Sequence, residues 1–174
     1  MVPPFDHRMI IAGQGTVGLE ILEQLPDVGT VFVPVGGGGL ASGASAALKQ
    51  SKPSVRVVAV EPEGAPKMSE SLKKGALVTL PGTNTIADGL KPVRAGEHTF
   101  EHVRKNVDEV VLVSDAEIMA AARHLILREK LVVEPSGAAA LAAVMSGKVR
   151  LPKGPVAVVI SGGNADLKSI LADS

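Results

Sequence analysis

Val31-Phe32-Val33-Pro34-Val35 runs directly into Gly36-Gly37-Gly38-Gly39 in this chain of 174 residues. The apolar run is typical of a strand that is buried on both faces of a parallel sheet, and the small residues after the glycines predict a helix. Four glycines at such a junction permit positive φ angles and leave several N–H groups without a Cβ in the way, which suits a phosphate or a carboxylate. A tight turn is the simpler alternative, but one or two glycines would suffice for it. We therefore call residues 36–39 the anion cradle, with the positive end of the following helix adding to the attraction.

Strand and helix patterns alternate along the rest of the chain. Short apolar runs predict strands over 9–12, 31–35, 55–60, 110–113 and 156–160. Helical patterns predict helices over 16–25, 39–50, 65–74, 97–105, 115–130 and 135–146, whereas residues 75–97 are predicted to be mostly loop. Ser114 with Glu117 has the spacing of a capping box, and Pro135 suits a first helical turn. We expect one α/β domain over residues 1–174, with an open, doubly wound, mostly parallel sheet, helices on both faces, and ligands beyond the carboxyl ends of the strands.

Composition excludes several classes of function. The 18 basic and 18 acidic residues cancel, and only three aromatic residues occur, all Phe, so neither a charge excess nor a stacking surface favours nucleic acid. The absence of cysteine excludes disulfides and a cysteine nucleophile. No apolar run reaches the roughly 18 residues of a membrane span. These features predict a cytoplasmic chain without a membrane or nucleic-acid partner.

Gly13-Gln14-Gly15-Thr16-Val17-Gly18 matches the G-x-G-x-x-G pattern of dinucleotide-binding loops. That function also requires an acidic residue for the ribose after the next strand, but that strand ends in Val35-Gly36. Asp27, in the intervening turn, is the only substitute. Close packing of a helix on a strand is therefore the favoured interpretation, and a nucleotide-binding domain remains an alternative.

Three other groups of polar residues have a functional and a simpler interpretation. Ser161-Gly162-Gly163-Asn164 follows an apolar run and offers either a hydroxyl to a buried ligand or a polar turn; it lacks the G-x-S-x-G pattern of a nucleophile. His98 and His102 have the spacing of a zinc helix, but without its glutamate a solvated helix face is favoured. Glu61 and Glu63 suit either a hard cation or a solvated loop.

Six motifs occur together and in one order: Ile11-Ala12-Gly13-Gln14-Gly15-Thr16, the anion cradle, Val60-Glu61-Pro62, Thr85-Ile86-Ala87-Asp88-Gly89, Val133-Glu134-Pro135 and Ser161-Gly162-Gly163-Asn164. Together they resemble the C-terminal half of the threonine/serine dehydratases and serine racemases, which are pyridoxal-phosphate enzymes of fold type II. The resemblance extends from about Phe5 to Ile170. It implies pyridoxal 5'-phosphate as cofactor and β-elimination of threonine or serine to a 2-oxo acid and ammonia.

The resemblance also implies roles for particular residues. Gly36, Gly37, Gly38 and Gly39 would hold the cofactor phosphate, and Ser161 would hydrogen-bond to the pyridine nitrogen. Gly89 would lie against the ring, and Glu134 would belong to the polar surroundings. A homodimer and an amino-acid substrate are likewise implied.

The chain departs from the family pattern in its catalytic lysine. The family's Schiff-base lysine and its Ser-Gly-Asn loop for the substrate carboxylate belong to an N-terminal half that has no counterpart here. Lysines such as Lys49, Lys52 and Lys67 do not match. We therefore expect half of an enzyme that is inactive alone and binds its cofactor weakly or not at all. The alternatives are a fragment, a truncated product, or one subunit of a split enzyme whose partner chain bears the lysine. A non-catalytic module that binds a phosphorylated ligand or a partner remains the alternative.

A second departure concerns metal. In relatives similar to serine racemase, a divalent ion is held by positions that become Glu61, the carbonyl of Ala65, and Lys67. An ammonium has no lone pair and cannot ligate a cation. We therefore predict no metal site, and an ion pair between Lys67 and Glu61 in its place.

Overall fold

The computed structural model describes residues 2–151 and 154–172. Four strands form one parallel sheet: β1 Thr30–Pro34, β2 Arg56–Pro62, β3 Glu109–Val113 and β4 Val156–Val158. Seven α-helices accompany them in the described residues: α1 Arg8–Gln24, α2 Gly39–Ser51, α3 Lys67–Lys74, α4 Glu97–Asn106, α5 Asp115–His124, α6 Pro135–Met145 and α7 Leu167–Leu171. A 3₁₀ turn covers Asp88–Leu90, and a π-helical turn, Leu125–Glu129, follows α5.

The strand order is β3-β2-β1-β4, with every neighbouring pair parallel. The chain therefore moves outward from β1 through β2 to β3 and then returns to the other side of β1 as β4. This reversal places the switch point of the sheet between the carboxyl ends of β1 and β4, where open α/β sheets bind ligands.

Both faces of the sheet are covered by helices, as predicted. All five residues of β1 are buried, and because successive side chains of a strand point to opposite faces, they contribute to two separate cores. Val31 and Val33 pack with apolar residues of α2, α3 and α4. Phe32 packs with residues of α5, α6 and α7 on the other face. The predicted α/β fold with a mostly parallel sheet is confirmed.

The prediction of a strand over residues 9–12 is wrong, because these residues lie inside α1. His7 begins the helix, its Nδ1 accepting the N–H of Met9 at 3.2 Å. The apolar residues are only partly buried: Ile11 faces the interior, whereas Met9 is 73% exposed. A run of four apolar residues does not distinguish a strand from one turn of a helix, and here the inward face continues at helical spacing through Gly15 and Gly18.

The G-x-G-x-x-G motif consequently lies within a helix and not in a strand-to-helix loop. A Cβ at Gly18 would lie 2.6 Å from the carbonyl oxygen of Ala44, and Gly15 lies against Gly43 in α2. The glycines serve close packing, as favoured, but the partner is a second helix and not a strand. The dinucleotide-binding alternative fails because its loop does not exist.

The remaining differences concern element ends. The predicted helix over 115–130 keeps its regular form only to His124, after the capping box formed by Ser114 and Glu117. The π-helical turn then ends at Lys130, whose φ is 62°. β4 is shorter than the predicted strand over 156–160. No helix in residues 2–151 and 154–172 combines the length and hydropathy needed to cross a bilayer.

Candidate functional site

A cavity of about 550 Å³ opens at the switch point of the sheet. All seven residues to which the sequence assigned a role in binding line it: Gly36, Gly37, Gly38, Gly39, Gly89, Glu134 and Ser161. They come from four separate segments, which follow β1, precede α4, begin α6 and follow β4. The structure therefore brings the predicted residues together, while their role in binding a cofactor stays a prediction.

Neighbouring residues of the chain leave little room for side chains at the glycines of the anion cradle. A Cβ at Gly36 would collide with the carbonyl oxygen of Gly89, and one at Gly37 would collide with the ring of Phe5. Gly38 has a φ of 100°, a left-handed conformation that favours glycine. From the sequence, the approach of an anion is the expected reason for these glycines, but close packing of the protein around the loop requires them as well.

The buried glycines of the cradle have N–H groups that find no hydrogen-bond partner among the described residues. Gly37, Gly38 and Gly39 are buried, and no hydrogen bond among the described residues uses their N–H groups. Buried backbone donors are nearly always paired in folded proteins. Gly39 also begins α2, so the positive end of a 13-residue helix lies at the same place. This arrangement of donors suits a phosphate group.

The opposite wall of the cavity is built by the start of α6. The hydroxyl of Ser136 accepts the N–H of Gly89 at 2.8 Å and fixes the loop that carries this glycine. The N–H of Glu134 donates to the carbonyl of Gly162 at 3.1 Å, which ties this wall to the loop after β4. A Cβ at Gly162 would collide with the Glu134 carboxylate. Glu134 thus lies between the loop of Gly89 and the loop of Ser161.

Ser161 is exposed at the mouth of the cavity. Its hydroxyl makes no hydrogen bond to the described residues, whereas that of Ser136, which also lines the cavity, accepts the N–H of Gly89. A hydroxyl in this position is able to donate to or accept from a ligand atom.

Sequence reasoning missed several residues of the cavity. Phe5 packs against Gly37 and Gly39, Ser136 supports Gly89, and Ile10 and Gln14 of α1 line the cavity. Ser136 follows Glu134-Pro135 directly and begins a helix, so its position was a usable signal. Phe5 has no such signal, because its contacts with the cradle span more than 30 residues of sequence.

Behind the cradle, Lys67 and Glu61 form the predicted ion pair. Their side chains are both fully buried, and Lys67 Nζ lies 3.1 Å from Glu61 Oε1. Lys67 Nζ also donates to the carbonyl oxygens of Val35 and Leu90 at 3.0 Å each, and to that of Ala65 at 3.2 Å. The Ala65 carbonyl, which the resemblance gave to a metal ion, thus accepts from an ammonium.

Burial has the largest effect on the pKa of each member of this pair. Removal from water raises the pKa of Glu61, and the charge of Lys67 and the N–H groups of Met68 and Ser69 oppose that rise. Burial likewise lowers the pKa of Lys67, against the attraction of Glu61. Glu61 accepts those two N–H groups at 2.9 and 2.8 Å, so each oxygen of its carboxylate accepts a backbone hydrogen bond.

The other predicted polar groups form no site. His98 is exposed on α4, and the described residues contain no cluster of three or more His, Asp or Glu side chains arranged for a metal. Glu63 pairs with Lys148 at 3.1 Å and not with Glu61. The exposure of His98 agrees with a solvated helix face. The interpretation as a solvated loop is wrong for Glu61, which lies in β2 and is fully buried.

The fold and the cavity have the geometry of an α/β domain that binds a phosphate-bearing ligand at the switch point of its sheet. Comparison with known families makes this class specific. The chain belongs to the family described as pyridoxal-phosphate dependent enzymes, whose model matches residues 1–162. Pyridoxal phosphate is therefore the implied cofactor, and the resemblance stated from the six motifs is confirmed.

Individual relatives agree with this assignment. The L-threonine ammonia-lyase of Geobacter sulfurreducens is 47% identical over 169 residues, which are 97% of this chain and 42% of that protein. The crystal structure of the T.th. threonine deaminase is 44% identical with a TM-score of 0.90, covering 94% of this chain and 61% of that one. Maize serine racemase is 41% identical with a TM-score of 0.92, covering 98% and 53%. The chain spans about half the length of the curated relatives that it matches.

Proposed function

We propose that this chain is the cofactor-phosphate-binding part of a pyridoxal-phosphate-dependent lyase that acts on L-threonine or L-serine. The observation that carries the proposal is the convergence of seven residues from four segments on one cavity at the switch point. The names of the relatives, L-threonine ammonia-lyase and serine racemase, support the substrate class of hydroxy amino acids.

The residues present fit this cofactor. Buried, unpaired N–H groups at the cradle and the start of α2 would hold the phosphate. Packing at Gly36 and Gly37 keeps side chains out of the loop. The cavity of about 550 Å³ lies in the range of small-molecule and cofactor sites.

When bound, pyridoxal phosphate supplies an electron-withdrawing ring that stabilises negative charge at the Cα of an amino acid. Ser161 would hydrogen-bond to the ring nitrogen, and a neutral hydroxyl, unlike a carboxylate, does not require that nitrogen to be protonated. This choice limits electron storage in the ring and suits an elimination, in which the leaving group carries charge away. Gly89, fixed by Ser136, would leave room for the ring, and Glu134 would add a polar group beside it.

A titration with inorganic phosphate, followed by NMR of the backbone amides, tests the proposal. The amide signals of Gly36 to Gly39 are expected to shift saturably, because their N–H groups would donate to the anion. Gly75 and Gly147 serve as internal controls, since their N–H groups already donate to Leu72 and Val144. A phosphorylated pyridoxine analogue without the aldehyde is expected to shift Gly89 as well. Cradle amides that stay unmoved at saturating phosphate would contradict the proposal.

One observation favours a second candidate, a module that binds a phosphorylated ligand or a partner without catalysis. No lysine is among the described residues that line the cavity, and covalent catalysis by this cofactor class requires one. We therefore expect the chain alone to form no 2-oxobutanoate from threonine above the rate with free pyridoxal phosphate. Turnover above that background would exclude the module and show that a lysine of this chain reaches the cofactor.

The predicted homodimer and the lysine-bearing partner chain belong to the same proposal. Exposed apolar side chains support an association surface, among them Leu131 and Val132, which are 51% and 58% exposed. We further propose that no hard cation binds at Glu61, because the ammonium of Lys67 occupies the position among its oxygens.

A further inference from the structure

The carbonyl of Gly37, in the middle of the anion cradle, is held from outside the cavity by α4. It accepts the hydroxyl of Thr99 at 2.7 Å and the N–H of Gly96 at 3.3 Å. Thr99 is fully buried. Its hydroxyl oxygen also lies 3.2 Å from the carbonyl oxygen of Gly96, but it is closer to that of Gly37. The shorter hydrogen bond of the Thr99 side chain is therefore the one to the cradle.

The geometry of the peptide bond between Gly37 and Gly38 determines the direction of the Gly38 N–H group. In a trans peptide the carbonyl and the following N–H point in opposite directions, and the described residues contain no cis bond. Because the carbonyl of Gly37 points toward α4, the N–H of Gly38 points away from it. Gly38 is buried, its N–H has no partner among the described residues, and the residue lines the cavity.

Thr99 is itself fixed on two further sides. Its N–H donates to the carboxylate of Asp6 at 3.3 Å, and its carbonyl accepts the hydroxyl of Ser42, in α2, at 3.1 Å. A Cβ at Gly38 would lie only 2.8 Å from its side chain. One residue thus connects the cradle, the helix after it and the N-terminal segment.

We propose that Thr99 is a positioning residue for the anion cradle, whose hydroxyl sets the 37–38 peptide so that the N–H of Gly38 faces the ligand. This inference rests on the proposed function, because it concerns the same phosphate. Without the hydroxyl, the Gly37 carbonyl keeps only its long bond to Gly96, and the peptide is free to rotate its donor out of the cavity. The loss of one well-aligned hydrogen bond corresponds to roughly 3- to 10-fold weaker phosphate binding.

The test compares variants of the full chain by their dissociation constants for inorganic phosphate. Thr99→Val preserves the shape but not the hydroxyl, and is expected to weaken binding by that factor. Thr99→Ser keeps the hydroxyl and is expected to bind like the parent. Thr30→Val is the matched control, because Thr30 is equally buried and its hydroxyl has no partner in the part of the chain that the structure describes. The affinity of this variant for phosphate is expected to stay unchanged.

The outcomes separate this inference from the function on which it rests. A parent chain that binds no phosphate overturns the proposed function. A parent that binds, together with a folded Thr99→Val variant of equal affinity, overturns the role of Thr99 alone. If Thr99→Val does not fold, Thr99→Cys is compared with Thr99→Ser instead, since a thiol is similar in size to a hydroxyl but is a weak hydrogen-bond donor. Binding that is weaker in the Cys variant than in the Ser variant supports the inference, and equal binding overturns it.

Discussion

Replacing Lys67 with Met is expected to lower the free energy of unfolding by about 3–5 kcal/mol, because it leaves the carboxylate of Glu61 buried without its counter-charge. The four oxygen contacts of Nζ, to Glu61 and to three backbone carbonyls, disappear together. Urea unfolding monitored by circular dichroism measures the change. A variant within about 1 kcal/mol of the parent would show that the pair adds little to stability.

A double variant, Glu61→Gln with Lys67→Met, is the matched control for this experiment. It removes both charges. Replacing both members of a buried ion pair by neutral residues often costs little stability, whereas removing only one member leaves an unpaired buried charge. We expect the double variant to be more stable than Lys67→Met alone.

In the parent, millimolar magnesium or calcium is expected to leave the melting temperature unchanged. A rise of several degrees that Glu61→Gln abolishes would show that a cation binds despite Lys67.

The loss of stability in Lys67→Met is expected to depend on pH. Burial raises the pKa of Glu61 above its ordinary value of 4.5, and in this variant the charge that opposes the rise is missing. A group whose pKa is raised by folding contributes stability that is complete below its unfolded pKa and is lost as the pH rises through its folded pKa. The difference from the parent should therefore be smaller at about pH 5 than at about pH 8. Equal differences at both values would indicate that Glu61 does not change its protonation over this range.

Gly43→Ala is expected to destabilise the chain by about 1–3 kcal/mol, because a methyl group there meets α1 directly. Its Cβ would collide with the carbonyl oxygen of Ile11 and would lie 2.6 Å from the backbone nitrogen of Gly15. Gly13→Ala, in the facing helix α1, is the matched control, since nothing lies within 4 Å of its added Cβ. Alanine is the better helix former, so Gly13→Ala is expected to stabilise by about 0.5–1 kcal/mol. Chemical unfolding of both variants measures the contrast, and equal effects would contradict the helix packing described here.

Local patterns predicted most of the sheet and the anion cradle because their signals are short-range. Buried parallel strands such as residues 31–35 are continuous apolar runs, and the glycines follow directly. The run at 9–12 misled because one turn of a helix and a short strand look alike at that length. Two supports of the site, Phe5 and Thr99, were not predictable in this way, since they reach it from segments far apart in the chain. Their residue types are ordinary, and only the fold gives them a partner.

We expect the close contact between α1 and α2 to set one dimension of the cavity. Ile10 and Gln14 line the cavity from the same helix whose Gly15 and Gly18 lie against α2. The last glycine of the cradle, Gly39, begins α2, so both of the helices that meet at these glycines contribute residues to the cavity. A methyl group at Gly18 or Gly43 would collide with the facing helix. We therefore expect any side chain larger than hydrogen at these two positions to push α1 and α2 apart and to widen the cavity.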